Sequence, residues 1–185
     1  MHWDLVFPRG NEEGLVAMAE RLGFHEIVLC YPVKDPLLRE RAKEAERLST
    51  RIKVSFAVLA TSQQEAMRAK QLAGALVATP FPGAFEDKRV THVIGLERGA
   101  RDFLHHRGSG LTQVSLREAA RTGKTLLVDA GALLDGALHP GVVLGRVLQN
   151  NGFFRKEDVP VRVVSAAREP LRMRAPRDLQ DLLRL

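Results

Sequence analysis

The chain has 185 residues, 45% of them hydrophobic and 27% charged, which is the make-up of a globular domain and not of a disordered or fibrous one. Lys and Arg number 28 against 22 Asp and Glu, so the formal charge is +6 and the balance favours an anionic partner such as nucleic acid. One cysteine, Cys30, excludes a disulfide framework and reads as a small buried hydrophobe in a reducing compartment. No apolar run approaches the roughly 18 residues of a membrane span. The chain also reaches a strand at once without a basic leader, so the expectation is a cytoplasmic protein with no membrane partner.

Strands and helices alternate along the sequence. Trp3 to Phe7 reads as the first strand. Asn11 offers an N-cap, and Glu12 and Glu13 sit where the helix dipole favours anions. Leu15, Met18, Ala19 and Leu22 give this helix an apolar face, and Gly23 stops it. Glu26 to Tyr31 is the second strand. Asp35-Pro36 starts a helix carrying Leu37, Leu38, Arg41, Ala42, Ala45 and Leu48. Ile52 to Leu59 is the third strand, and Ser62 and Glu65 have capping-box spacing before a helix reaching about Ala73. Ala75 to Ala78 forms a short fourth strand, followed by the turn-rich Pro80 to Gly83.

Thr91 to Leu96 is the fifth strand, with a long basic exit from Glu97 to Gly110. A helix from Leu111 to Arg121 carries Leu111, Val114, Leu116 and Ala119. Thr125 to Asp129 is the sixth strand. A helix from Gly141 to Asn151 pairs Val143 with Val147 and Leu144 with Leu148, and Asn151-Gly152 closes it. Val159 to Val164 is the seventh strand, and Pro176 opens a terminal helix at the position where its missing N–H costs nothing. Continuous apolar strands between amphipathic helices call for a parallel sheet buried on both faces. An open doubly wound sheet and a barrel both satisfy this. About seven units without a composition break suit one α/β barrel domain over residues 1–185, shortened against the usual length of about 250.

All strand exits of a parallel barrel converge on one face. Here those loops carry Arg9, Lys34, Arg98, Arg101, His105, His106, Arg107, Arg168, Arg172 and Arg174, against Asp35, Glu97, Asp102, Asp129 and Glu169. A face dominated by arginine suits phosphate, because the planar guanidinium donates paired hydrogen bonds to oxygens. A solvated surface turn is the plain alternative for the Arg168–Arg174 loop. His105-His106 reads as solvated or RNA-contacting, since adjacent side chains point apart and no third ligand is near. His2 and Asp4 form a second tempting ligand set, but His2 lies at the strand's start, away from the exit face. Asp129 reads as a turn or helix-cap acid in preference to a catalytic one. Arg107-Gly108-Ser109-Gly110 offers either a sharp turn or backbone N–H groups for a phosphate. Walker, GxGxxG and GxSxG motifs are absent.

RGSGLTQVSLREAA (Arg107 to Ala120), LGRVLQNNG (Leu144 to Gly152) and VPVRVVSAAREPLRMRAPRDL (Val159 to Leu179) give the chain a family likeness. It resembles RNase P protein component 3, the TIM-barrel-like subunit of archaeal and eukaryotic ribonuclease P. The resemblance implies an RNA-binding subunit of a ribonucleoprotein endonuclease, a hydrolase that removes the 5′ leader of precursor tRNA. It implies that the RNA carries catalysis, that Mg belongs to the RNA partner, and that this chain binds no cofactor. Partners would be the RNase P RNA, precursor tRNA and other RNase P proteins, especially a small ferredoxin-like subunit. Candidate phosphate contacts are Arg107, Arg168, Arg172, Arg174, Arg98, Lys124 and Arg177. The family is also similar in fold to phosphoesterases with a D-x-H-x-H metal motif; aligned on Asp4, its histidine positions hold Val6 and Pro8, which cannot ligate. The alternative is a small barrel hydrolase or isomerase acting on a phosphorylated metabolite through Asp129 and a nearby histidine. Aromatic residues make up only 5% of the chain, so backbone or shape recognition of RNA fits better than base stacking.

Overall fold

Among the described residues, seven strands and six α-helices follow one another in the order β1 (Trp3–Val6), α1 (Glu12–Arg21), β2 (Glu26–Pro32), α2 (Leu38–Arg47), β3 (Lys53–Ala60), α3 (Gln63–Arg68), β4 (Ala75–Ala78), β5 (Val90–Ile94), α4 (Gln113–Arg121), β6 (Thr125–Asp129), α5 (Pro140–Glu157), β7 (Val161–Val164) and α6 (Pro176–Asp181). The computed structural model describes residues 2–48, 50–69, 74–99, 102, 108–109, 111–134, 136, 138–182 and 184. All six pairings are parallel and the strands lie side by side in sequence order. Between β7 and β1 the ladder gives way to two backbone hydrogen bonds, Ala166 N–H to the Leu5 carbonyl at 3.0 Å and Phe7 N–H to the Ala167 carbonyl at 2.8 Å. The result is a nearly closed TIM-barrel-like fold. No helix among the described residues is long and apolar enough to cross a membrane.

The period-2 alternation of the strands sorts their side chains into two layers. Leu5, Cys30, Ala57, Val77, Ile94, Leu127 and Val164, one from each strand, fill the barrel interior. Small residues among them suit the narrow bore of a short barrel. Residues of opposite parity, such as Val6, Ile27, Val58, Val93, Leu126 and Val163, face the helices and meet Leu15, Ala19, Ala66, Leu116, Val143, Val147 and Phe154. Cys30 is buried, and burial alone pushes its thiol pKa up, as expected of a packed hydrophobe and not a nucleophile.

Three sequence expectations change. The helix expected to close at Asn151-Gly152 continues to Glu157. Asn151 and Phe154 are buried against the core, so packing outweighs the helix-breaking dipeptide, and Asp158 in the left-handed region ends the helix instead. The helix after Asp35-Pro36 begins at Leu38, and Leu37 and Val114, both assigned to apolar faces, are exposed. α4 starts later than Leu111 because Thr112 and Ser115 form a reciprocal capping box.

A cationic pocket at the strand exits

The seam between β1 and β7 is filled by a carboxylate. Asp4 is fully buried; its Oδ1 accepts the Leu5 N–H at 2.9 Å and the Ser165 N–H at 2.7 Å, and its Oδ2 lies 2.5 Å from the Ser165 hydroxyl. Burial pushes its pKa up to about 7; the Ser165 hydroxyl and the two N–H groups oppose this, and the Asp129 charge adds to it. Immediately beyond, Ala166 adopts φ 49°, a left-handed conformation costly for a residue with a Cβ. The seam hydrogen bonds hold it there and turn the chain out of the barrel.

The backbone of Ser165, Ala166 and Ala167 borders a pocket of about 260 Å³, together with Arg9, Arg98, Gly131, Leu134, Arg168, Glu169 and Arg172. Four guanidiniums from the exits of β1, β5 and β7 therefore surround one depression. Arg98 Nε donates to Asp129 Oδ2 at 2.7 Å, and Arg172 donates to the Leu134 carbonyl at 2.9 Å. Asn11 stands at the N-cap position of α1 yet makes no cap bond. Its Oδ1 accepts the Arg9 N–H at 3.0 Å, and its Nδ2 donates to the Arg168 carbonyl at 2.9 Å and to Glu169 Oε2 at 3.2 Å. The side chain expected to cap a helix instead ties the β1 exit to the β7 exit.

Gly131 lets the β6 exit lie against the β7 exit. A Cβ there would meet the Ser165 carbonyl at 2.8 Å and Asp129 Oδ1 at 3.0 Å. Gly131→Ala is therefore expected to destabilise the protein by about 1–3 kcal/mol, read as a lowered melting temperature.

The candidate phosphate contacts divide sharply. Arg98, Arg168 and Arg172 line the pocket, and Arg9, seen in sequence only as one of ten loop cations, joins them. Arg174 folds back on the chain, its Nη1 donating to the carbonyls of Met173 at 2.8 Å and Leu171 at 3.3 Å. Arg177 is exposed on α6, outside the pocket, while Gln180 of the same helix reaches His2 at 2.9 Å. Lys124 is a correction. It precedes β6 and is buried at the opposite end of the barrel, its ammonium donating to the carbonyls of Asp87 at 2.8 Å and Val90 at 3.0 Å. Burial lowers its pKa, Asp87 opposes that, and no phosphate can reach it. Arg107, Arg101, His105 and His106 lie outside the described residues. Of the glycines beside Arg107, Gly108 already donates its N–H to Asp102 at 2.8 Å.

A buried polar network supports the β5 exit. Asp129 caps the 3-10 turn after β6 through the Ala132 N–H at 3.1 Å, and its own N–H donates to Glu97 at 2.9 Å. Burial first, then Asp129, pushes the Glu97 pKa up to about 8. Arg146 of α5 is buried, donating to Asp102 at 2.9 Å and to the Glu97 carbonyl at 3.1 Å. Sequence reasoning missed Arg146, although it falls on the Val143–Val147–Asn150 face of its helix. An arginine on a core-facing stripe signals a buried, paired charge.

His2 and Asp4 do not converge, since Asp4 is committed to Ser165 and His2 lies near His25 at a ring distance of 6.0 Å. Val6 is buried against the helices. With Val6 and Pro8 at the D-x-H-x-H positions the donor set does not fit a metal there, and no group of three His, Cys, Asp or Glu that could hold one occurs among the described residues. A larger cavity of about 570 Å³ opens at the opposite end beside Trp3, Glu26, Lys53 and His92. Several of its polar groups are already paired: Lys53 with Glu26 at 2.9 Å, Ser55 with Glu26 at 2.5 Å, and His92 with Thr91 at 2.8 Å.

No protein-family model matches the chain, and neither does any curated protein. Among solved structures it is similar to a chain of archaeal ribonuclease P with mature tRNA, with a TM-score of 0.76 and 19% identity over 97% of this chain and 80% of that one. It is also similar to histidinol phosphate phosphatase of Lactococcus lactis, complexed with zinc, L-histidinol and phosphate, with a TM-score of 0.68 and 9% identity over 99% and 92% of the two chains. At these identities the likeness is one of fold.

Proposed function

We propose that the chain is a cytoplasmic, non-catalytic protein subunit of ribonuclease P that binds the catalytic RNA and assists removal of the 5′ leader from precursor tRNA. The observation that carries this reading is the cationic pocket, where Arg9, Arg98, Arg168 and Arg172 stand at the exits where a barrel enzyme would gather His, Asp and Glu. The fold likeness to a chain of the archaeal enzyme supports it. Mg would accompany the RNA, and a small ferredoxin-like protein would be the companion subunit. The likeness to a phosphatase keeps a small barrel enzyme on a phosphorylated metabolite as the second reading. Against that reading, Asp129 is spent on Arg98 and on the Ala132 N–H.

The test is reconstituted cleavage of precursor tRNA by the cognate RNA and its other proteins, with and without this chain. Wild type is expected to stimulate cleavage. An Arg168→Ala, Arg172→Ala, Arg174→Ala variant with an unchanged melting temperature is expected to lose most of that stimulation. Each contact with phosphate contributes about one unit to the slope of log affinity against log salt, so the variant's slope should fall by about two units, from Arg168 and Arg172, while Arg174, folded back on its own loop, adds none. A folded wild type that gives no stimulation overturns the reading and sends the search to phosphorylated metabolites.

A further inference from the structure

We propose that the pocket between the β1 and β7 exits is a single-phosphate site in which Arg9 and Arg168 grip the anion, Arg172 and Arg98 form its rim, and Asn11 positions the gripping pair. Use of the site by RNA rests on the subunit reading above; its affinity for phosphate does not.

Charge balance distinguishes this pocket from the neighbouring described cations Lys34 and Arg41. Lys34 is neutralised by Glu65 at 2.6 Å, and Arg41 by Glu12 at 3.0 Å and Asp35 at 2.9 Å. Arg9, Arg168 and Arg172 have no carboxylate partner among the described residues, although they border one depression. Glu169, the acid at this rim, is held by Asn11 at 3.2 Å. With Asp129 on Arg98 and Glu169 at the rim, positive charge still exceeds negative around the depression; like charges in excess repel one another, and an anion relieves that repulsion while accepting charge-assisted hydrogen bonds.

Order in the gripping loops is the second observation. Asn11 bonds to the backbone of both Arg9 and Arg168, although the two loops lie at opposite ends of the chain. Pro170 packs on Gly14 of α1, 3.2 Å from where a Cβ would sit, and Met173 is buried. The two guanidiniums therefore start from backbones already fixed relative to each other, which lowers the ordering cost of binding. The depression is open on one side and lined by guanidiniums, which suits a phosphate group with the rest of its ligand outside.

The experiment titrates the isolated chain with inorganic phosphate at low ionic strength, against chloride at matched ionic strength, following amide NMR signals of Gly131, Ala166 and Ala167. Wild type should show saturable shifts with phosphate only. Arg9→Gln and Arg168→Gln should each weaken binding by about tenfold or more. Asn11→Ala, which leaves the net charge unchanged, should weaken it several-fold beyond any change in melting temperature. Dimethyl phosphate and 5′-phosphorylated or 5′-hydroxyl oligoribonucleotides separate the sources. Binding of dimethyl phosphate assigns the pocket to an internal diester, and its rejection to a terminal monoester. No saturable response to phosphate, or an equal response in wild type and Arg9→Gln, overturns the proposal. If wild type still stimulates tRNA cleavage in that case, the subunit reading stands and only the single-phosphate site falls. If phosphate binds but Arg9→Gln leaves cleavage unchanged, the site stands and its use by RNA falls.

Discussion

Asp4→Ala is expected to destabilise the protein by about 3–5 kcal/mol, because it removes the acceptor for two buried N–H groups and a hydroxyl at once. The carboxylate takes the Leu5 and Ser165 N–H groups, which the β1–β7 seam leaves without a carbonyl partner. Asp4→Asn should be nearly neutral, since the amide oxygen keeps both N–H groups and the amide N–H can donate to the Ser165 hydroxyl. The pair of variants also reads the pH dependence. The pKa of Asp4 rises from an ordinary 3.8 to about 7 on folding. Between those values the folded state keeps a proton that the unfolded chain has lost, so the stability contributed by this group falls as pH rises from about 4 to about 7. The penalty for burying the ionised form amounts to about 4 kcal/mol at most, from 1.36 kcal/mol per pKa unit. Thermal melts of wild type and Asp4→Asn should therefore diverge in that window, with the variant gaining relative stability toward pH 8. Parallel curves would refute a protonated Asp4 in the seam.

Arg146→Met should cost about 1–3 kcal/mol, since it leaves the buried Glu97 carbonyl without this donor while Asp102, partly open to solvent, keeps the Gly108 N–H. Its guanidinium bonds both Asp102 and the Glu97 carbonyl, fastening the β5 exit to α5. Loosening that exit also frees the turn bearing Arg98, so, on the subunit reading proposed above, the variant should bind RNA more weakly at temperatures where it remains folded. Denaturant unfolding with an unchanged slope and a lowered midpoint would mark a pure stability loss. An unchanged midpoint would refute the load assigned to Arg146.

The order of elements was legible in the sequence because its signals are local. Apolar runs of four to eight residues, helix stops such as Gly23, and Pro176 at a helix start each act over one or two turns of chain. β6 appears where its pattern places it, Thr125–Asp129, and β4 likewise at Ala75–Ala78. The cationic character of the exit face was legible too, once parallel strands sent every exit to one end. Lys124 was separable by the same rule, since a residue that precedes a strand lies at the other end of a parallel barrel.

Tertiary structure alone decided which arginines share a pocket and which do not. Asn11 and Arg168 are 157 residues apart, and Asp4 and Ser165 are 161 apart. Whether Asn11 caps its own helix or bridges two loops depends on closure of the barrel, which no local pattern encodes. Arg168 and Arg174 stand in one basic loop, yet one opens to the pocket and the other folds back onto carbonyls of its own turn. α5 passes through Asn151-Gly152 because Phe154 gains more by burial than the dipeptide loses in helix propensity. The sequence by itself determined a parallel α/β fold of about seven strand–helix units with basic strand exits. The meeting of β7 with β1 turned those exits into a site, because packing across the seam fixes side chains that propensity leaves free.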